Sequence, residues 1–199
     1  MDLMARVKGI LLKPKEEWVK IKAEPTTVAG LFTSYAMILA AIPAVSNFIG
    51  LALIGQRIPF YGWYRYKIGN AFLYMIVSYI LSLVAVYILG IVINALASTF
   101  SSKQDINNAM KLAVYSMTAS WVGGIFNIIP VLGILALLAG LYGLYILYLG
   151  FDNPLMDTPK DKVIGYFAVS LVIAIVLIVV ISLILGAIFT VGTLGGRVL

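Results

Sequence analysis

Two stretches of this chain, residues 112–151 and 163–196, contain no charged side chain. As a single helix the first would extend about 60 Å at 1.5 Å per residue. That is twice the roughly 30 Å of a bilayer's hydrocarbon core, which about 20 apolar residues cross. The stretch must therefore fold back on itself. Across residues 28–191 the chain carries five long apolar runs of this kind. The expected fold class is all-α: a polytopic membrane protein, a bundle of five transmembrane helices preceded by a short amphipathic N-terminal segment.

Composition supports that class and removes several kinds of chemistry. Hydrophobic residues make up 62% of the 199 and charged residues 11%, too few charges to keep a soluble surface wet. With no cysteine and no histidine, disulfides, thiolate sites and the commonest general base near neutral pH are excluded. The carboxylates Asp2, Glu16, Glu17, Glu24, Asp105, Asp152, Asp157 and Asp161 all lie outside the apolar runs. Proton-coupled transport and intramembrane aspartyl proteolysis depend on an ionisable group at membrane depth, and the runs offer none. No catalytic residue, metal site or cofactor is expected.

The expected organisation has three parts. Residues 1–24 form a cytoplasmic, amphipathic interfacial segment, 25–191 the five-helix domain and 192–199 a short tail. In the first part Leu3, Val7, Ile10 and Leu11 follow helical spacing. Pro14 suits the first turn of a second short helix, where Glu16 and Glu17 complement the helix dipole. Trp18 is expected at the headgroup level as an anchor. Removing residues 1–22 is then expected to weaken lipid or partner association and to leave the bundle folded.

The spans are placed at about 28–53, 71–96, 110–129, 130–150 and 163–191. Thr27 is positioned to cap the first and Asp105 the third. Thr158-Pro159-Lys160-Asp161 reads as a cap and first turn for the fifth. Pro43 interrupts the first span and should kink it. Between the first two spans Phe60, Tyr61, Trp63, Tyr64 and Tyr66 alternate with Arg57, Arg65 and Lys67. Such a mixture can stack single-stranded nucleic acid. Between membrane spans it reads as an interfacial aromatic belt, with Trp63, Tyr64 and Tyr66 as anchors. No nucleic-acid partner is expected.

Cation placement orients the bundle. Arg6, Lys8, Lys13, Lys15, Lys20, Lys22, Lys103, Lys111, Lys160 and Lys162 fall on one side of a five-span arrangement. Arg57, Arg65, Lys67 and Arg197 fall on the other. The cation-rich side is expected in the cytoplasm, with the N-terminus inside and the C-terminus outside. The basic N-terminus is expected to meet anionic inner-leaflet headgroups.

Two patterns inside the spans are candidates for specificity. Ala113, Ser116, Ser120, Gly123 and Asn127 share one face of the third span, and Gly133, Ala136, Gly140 and Gly143 share one face of the fourth. Small residues let helices approach closely in lipid, so the stripes are expected to face each other. Polar groups at Asn47, Asn94, Ser116, Ser120 and Asn127, with the kink at Pro43, offer the alternative of a solute path. Tyr142, Tyr145 and Tyr148 occupy another face of the fourth span, and their hydroxyls need partners.

The wording of the chain adds a resemblance. Leu12-Lys13-Pro14-Lys15-Glu16-Glu17-Trp18 followed by Glu24-Pro25-Thr26-Thr27 closely resembles the start of prokaryotic members of the Yip family. In eukaryotes these are five-span proteins of the early secretory pathway that interact with Rab GTPases. Similarity continues through Tyr115-Ser116 to Trp121, through Tyr142-Gly143-Leu144-Tyr145 to Gly150, and through Thr158 to Lys162. The resemblance implies five helices and a cytoplasmic N-terminus, and it carries over no catalytic residue. Eukaryotic members have a cytosolic N-terminal region longer than the segment 1–24 expected here. The expected role is a non-enzymatic, membrane-organising protein of a prokaryotic cytoplasmic membrane that engages lipids, a protein partner or a second copy of itself. The alternative is a passive transporter or channel for a small neutral or lipid-like solute.

Overall fold

A computed structural model of the protein describes residues 2–58, 62–152 and 155–193. Phe60, Tyr61 and Arg197, which enter the expectations above, lie outside the described residues. Two short helices, α1 (Leu3–Leu12) and α2 (Pro14–Ala23), open the chain. Four helices then have the length and apolarity to cross a membrane: α3 (Val28–Ile54), α4 (Ile68–Leu96), α7 (Gly133–Asp152) and α8, apolar over Val163–Phe189 and helical to Thr193.

The third apolar run departs from the expected unbroken span at 110–129. It forms α5 (Ile106–Ser116), α6 (Thr118–Gly123) and a 3₁₀ segment over Gly124–Ile128. The break follows Met117, whose ψ of −8° leaves the helical range. The tandem glycines Gly123-Gly124 then lower the cost of leaving α geometry. A second 3₁₀ turn, Pro130–Leu132, reverses the chain into α7.

Most of α5 is deeply enclosed, whereas Ile125 and Phe126 at the other end of the broken segment are exposed. Every residue from Ala109 to Ser116 is buried. The Tyr35 hydroxyl lies 2.8 Å from Thr118 Oγ1. Because Thr118 donates its own proton to the Tyr115 carbonyl, Tyr35 is the donor between them. Further along, a Cβ built on Gly124 would stand 2.5 Å from Pro43 Cβ, and one on Gly50 would stand 2.4 Å from the Asn127 carbonyl oxygen. The segment thus follows α3 along its length, from Tyr35 to Gly50. Antiparallel to it, α7 meets Leu112 at Gly150, Ser116 at Gly143 and Gly123 at Ala139.

Local chemistry explains the helix ends. Asp105 accepts from the amides of Asn107 and Asn108, and Thr27 accepts from Gly30. Asp2 does the same for α1 through Met4. Pro14 occupies the first turn of α2. The Thr158-Pro159 sequence, expected to start the last span, stays in the preceding loop. There Thr158 accepts from the Ser102 hydroxyl, and α8 begins only at Val163. Helix α3 continues through Pro43, with wider π turns over Phe32–Ala36 and Gly50–Ile54 at either end. Such turns relax the backbone register that a proline disturbs.

Beyond α3 the chain forms a two-stranded antiparallel ribbon, β1 (Gln56–Ile58) against β2 (Gly62–Tyr64). Gly55, at φ +84°, makes the sharp exit from the helix. The far end of the bundle is held differently. Tyr166 stacks on Phe100 at 4.8 Å and packs on Phe151 at 4.6 Å. Its hydroxyl donates to the Ile93 carbonyl.

Candidate functional site: the docked hairpin and the small-residue seam

The N-terminal hairpin is integrated into the bundle. Its apolar face, which includes Val7, Ile10 and Ile21, belongs to the main core cluster. Trp18 departs from the expected interfacial position and is only 2% exposed. Its ring meets Tyr115 edge-on at 6.4 Å, and its Nε1–H donates to the Ile146 carbonyl at 3.1 Å. Gly150 makes room for this ring, since a Cβ there would come within 2.9 Å of it. The preference of tryptophan for one apolar side and one polar contact is met inside the protein rather than at the headgroups.

Charge supports the same docking. Arg6 is buried, with Nη1 2.5 Å from Glu17 Oε1 and Nη2 paired with Glu24. Its guanidinium also lies 5.6 Å from the centre of the Tyr115 ring. Isolated buried charges are costly, and a paired and hydrogen-bonded set offsets that cost. Gly9 is small because Glu17 needs the space: a Cβ at Gly9 would fall 2.4 Å from its carboxylate. From α5, the buried Lys111 donates to the carbonyls of Ile21, at 2.9 Å, and Glu24, at 2.6 Å. These are acceptors at the C-terminal end of α2, where a cation also complements the helix dipole.

The hairpin leaves a second face exposed. Met4, Lys8 and Leu12 follow one another at four-residue spacing on α1 and are all solvent-accessible, as are Lys15 and Val19 on α2. Apolar and cationic side chains are mixed there, as on interfacial helices. At the same end of the bundle Lys22 pairs with Asp157 at 2.7 Å and Lys162 donates to Ser101 at 2.7 Å. The Lys103 amide donates to the Met156 carbonyl. The loops before α5 and before α8 therefore meet beside the hairpin, and their lysines share one end of the molecule. Arg65 and Lys67 lie at the opposite end, next to the ribbon.

The two small-residue stripes meet in the structure. A Cβ on Gly123 would fall 2.2 Å from Ala139 Cβ and 4.0 Å from Ala136 Cα. One on Gly143 would lie 3.1 Å from both the Ser116 carbonyl and Ser120 Oγ, and one on Gly140 would lie 3.9 Å from Ser120 Oγ. Gly133 is beyond the seam, with open space around it. Next to Ser116 and Ser120, a cleft of about 460 Å³ opens between α7 and α8.

The remaining polar positions are dispersed. Asn94 lies next to Ile93, the contact of Tyr166 on α8, whereas Asn127 approaches Gly50 at the other end of the bundle. Asn47 is one turn beyond Pro43 on α3. Tyr142 finds its partner on the hairpin, donating to the Leu11 carbonyl at 2.8 Å, and Tyr148 packs edge-on against Phe167. At the ribbon Trp63 is exposed and donates to the Ile54 carbonyl at 3.1 Å, where Arg65 also donates. Tyr64 and Tyr66 pack edge-on at 5.2 Å. Partial burial, and to a lesser extent Tyr64, pushes the Tyr66 hydroxyl pKa up. Among the described residues there is no group of three or more acidic, cysteine or histidine side chains that could hold a metal.

Sequence reasoning missed the buried charges Arg6, Glu17 and Lys111 and the half-exposed Glu24 that pairs with Arg6. A signal was present. Glu17 is next to the aromatic Trp18, and Lys111 immediately precedes an uncharged run of 40 residues, 112–151, so both charges sit at the edge of the apolar core.

Long apolar helices, an enclosed small-residue seam and cations gathered at one end define a multi-pass α-helical membrane protein. Residues 8–192 match the Yip1 domain, and the chain belongs to that family. It is similar to the inner membrane protein YohC of Escherichia coli strain K12, at 24% identity over 128 residues. That match spans 64% of this chain and 66% of the relative, just under two thirds of its length. The YohC protein of E. coli O6:H1 strain CFT073 matches equally. No solved structure matches the chain.

Proposed function

We propose that the protein is a non-enzymatic organiser of a bacterial cytoplasmic membrane, whose docked basic hairpin engages anionic lipid headgroups at the inner surface. The observation that carries this reading is the two-sided hairpin. One side is fixed to the bundle by Trp18, by Lys111 and by the Arg6 guanidinium over the Tyr115 ring. The other presents Met4, Lys8, Leu12, Lys15 and Val19 outward. A rigidly mounted basic and apolar surface needs little ordering when it meets a membrane, which favours binding.

In this reading the chain crosses the membrane five times, with residues 106–128 as an interior, broken third crossing. The course of that segment beside α3 and α7 supports it. Irregular backbone at membrane depth is tolerated where protein covers it, and on either side of the break Ser116 and Thr118 are buried, with Gly123 packed on α7 and Gly124 on α3. The cation-rich end faces the cytoplasm under the positive-inside rule, with the N-terminus inside and the C-terminus outside. The resemblance of the relatives' inner-membrane location supports the compartment.

The test uses the full chain in vesicles of mixed phosphatidylglycerol and phosphatidylcholine. Lipids retained on the extracted protein are compared with bulk composition. Phosphatidylglycerol enrichment is expected, and Lys8→Glu with Lys15→Glu abolishes it while thermal stability is retained. Equal retention of both headgroups by the unaltered protein sinks the proposal.

A further inference from the structure

We infer that the cleft between α7 and α8 is a binding site for one acyl chain of a membrane lipid. This rests on the multi-pass membrane reading and adds a site independent of the headgroup surface on the hairpin. Its walls include Leu137 and Leu141 of α7 and Ile175 and Ile178 of α8, and Ser116 and Ser120 form its floor. All four wall side chains are also exposed outward, so the cleft opens sideways into the surrounding hydrocarbon. At one end it is closed by the Tyr148–Phe167 and Phe151–Tyr166 contacts, which bring α7 and α8 together.

Chemistry and size select the occupant. The Ser116 hydroxyl is already satisfied by donating to the Ala113 carbonyl at 3.0 Å, and the rest of the lining is almost wholly apolar. A polar solute would lose its hydration there and regain at most a bond to the Ser120 hydroxyl, the one other polar side chain among the described lining residues. The volume is about 460 Å³. At roughly 30 Å³ per group, the share of one water in the liquid and close to that of a methylene, it takes one hydrocarbon chain. The small residues Ala136, Gly140 and Gly143 that admit close packing at the seam leave the space beside it unfilled. Lipid tails are the available filling.

The test reconstitutes the full chain in phosphatidylcholine vesicles doped with a phosphatidylcholine carrying a mid-chain diazirine. Photocross-links, mapped by mass spectrometry, are expected to concentrate on Leu141, Ile175 and Met117 rather than on the open α8 positions Val179 and Leu183. Gly140→Leu fills the cleft, and a Cβ there meets only Ser120 Oγ at 3.9 Å. It should cut the cleft cross-links severalfold and leave those at Val179 and Leu183 unchanged. Leu137→Trp, at the exposed rim, provides a second variant that leaves the labelled positions in place. Even labelling along α8, or cleft labelling indifferent to both variants, overturns the proposal. Since no anionic lipid is present, this result is independent of the phosphatidylglycerol test of the hairpin.

Discussion

Arg6 Nη1 lies 2.5 Å from Glu17 Oε1, and both side chains are more than nine-tenths buried. This contact joins α1 to α2 on the side that faces the bundle, where the Arg6 guanidinium also lies 5.6 Å from the centre of the Tyr115 ring. Removing one partner of a buried pair costs about 3–5 kcal/mol when the other charge is left uncompensated, and here Arg6 keeps its bond to Glu24, so the cost falls below that range. Glu17→Gln should therefore lower the unfolding midpoint in detergent. The exposed Lys13–Glu16 pair contributes at most about 1 kcal/mol, and Glu16→Gln should leave the same midpoint almost unmoved.

Truncation should damage the bundle. Deleting residues 1–22 removes Trp18, Ile10 and Ile21 from the core and uncovers Leu112, Tyr115 and the buried end of Lys111. The single change Trp18→Ala is expected to cost about 3–5 kcal/mol, the range for large aromatic truncations. Chemical unfolding followed by circular dichroism measures both. An unchanged midpoint for the truncated chain would return the hairpin to a peripheral role.

Lys111 should act as a latch on the end of α2. Lys111→Met keeps most of the side chain's bulk but removes the donor to the Ile21 and Glu24 carbonyls. Leaving buried acceptors unpaired costs about 1–3 kcal/mol. Proteolytic cleavage between residues 22 and 27 should accelerate, with cleavage elsewhere little altered.

The Gly123–Ala139 contact predicts a compensating pair. Gly123→Ala alone places two methyl carbons 2.2 Å apart and should cost about 1–3 kcal/mol through overpacking. Adding Ala139→Gly removes the clash, at about 1 kcal/mol of helix propensity. The double variant should thus be more stable than Gly123→Ala, a coupling readable in a double-mutant cycle.

Much of the frame was legible because hydrophobic length and periodicity are set locally. The apolar runs locate α3, α4, α7 and α8 to within a few residues, and Thr27, Asp105 and Pro14 occupy the helix-start positions their chemistry favours. The facing of the Ser116–Ser120 and Gly140–Gly143 stripes was also readable, because a tight turn joins their segments. Trp18 was not. An amphipathic helix beside a membrane has the same pattern whether its apolar face meets lipid or protein, and only the distant Ile146 and Gly150 decide between them. The break after Met117 was equally hidden, since a buried segment can leave helical geometry wherever neighbours cover its backbone.

Whether residues 106–128 cross the membrane decides the proposed topology, and the absence of native cysteine makes it directly measurable. Single cysteines at Lys103 and Val131 bracket the segment, and both sites are exposed. In intact cells a membrane-impermeant thiol reagent should label Val131→Cys and not Lys103→Cys, and inverted vesicles should give the opposite pattern. Labelling of both from the same side would mean that the segment turns back without crossing. The five-crossing bundle, with its cation-rich hairpin at the inner surface, would then be wrong.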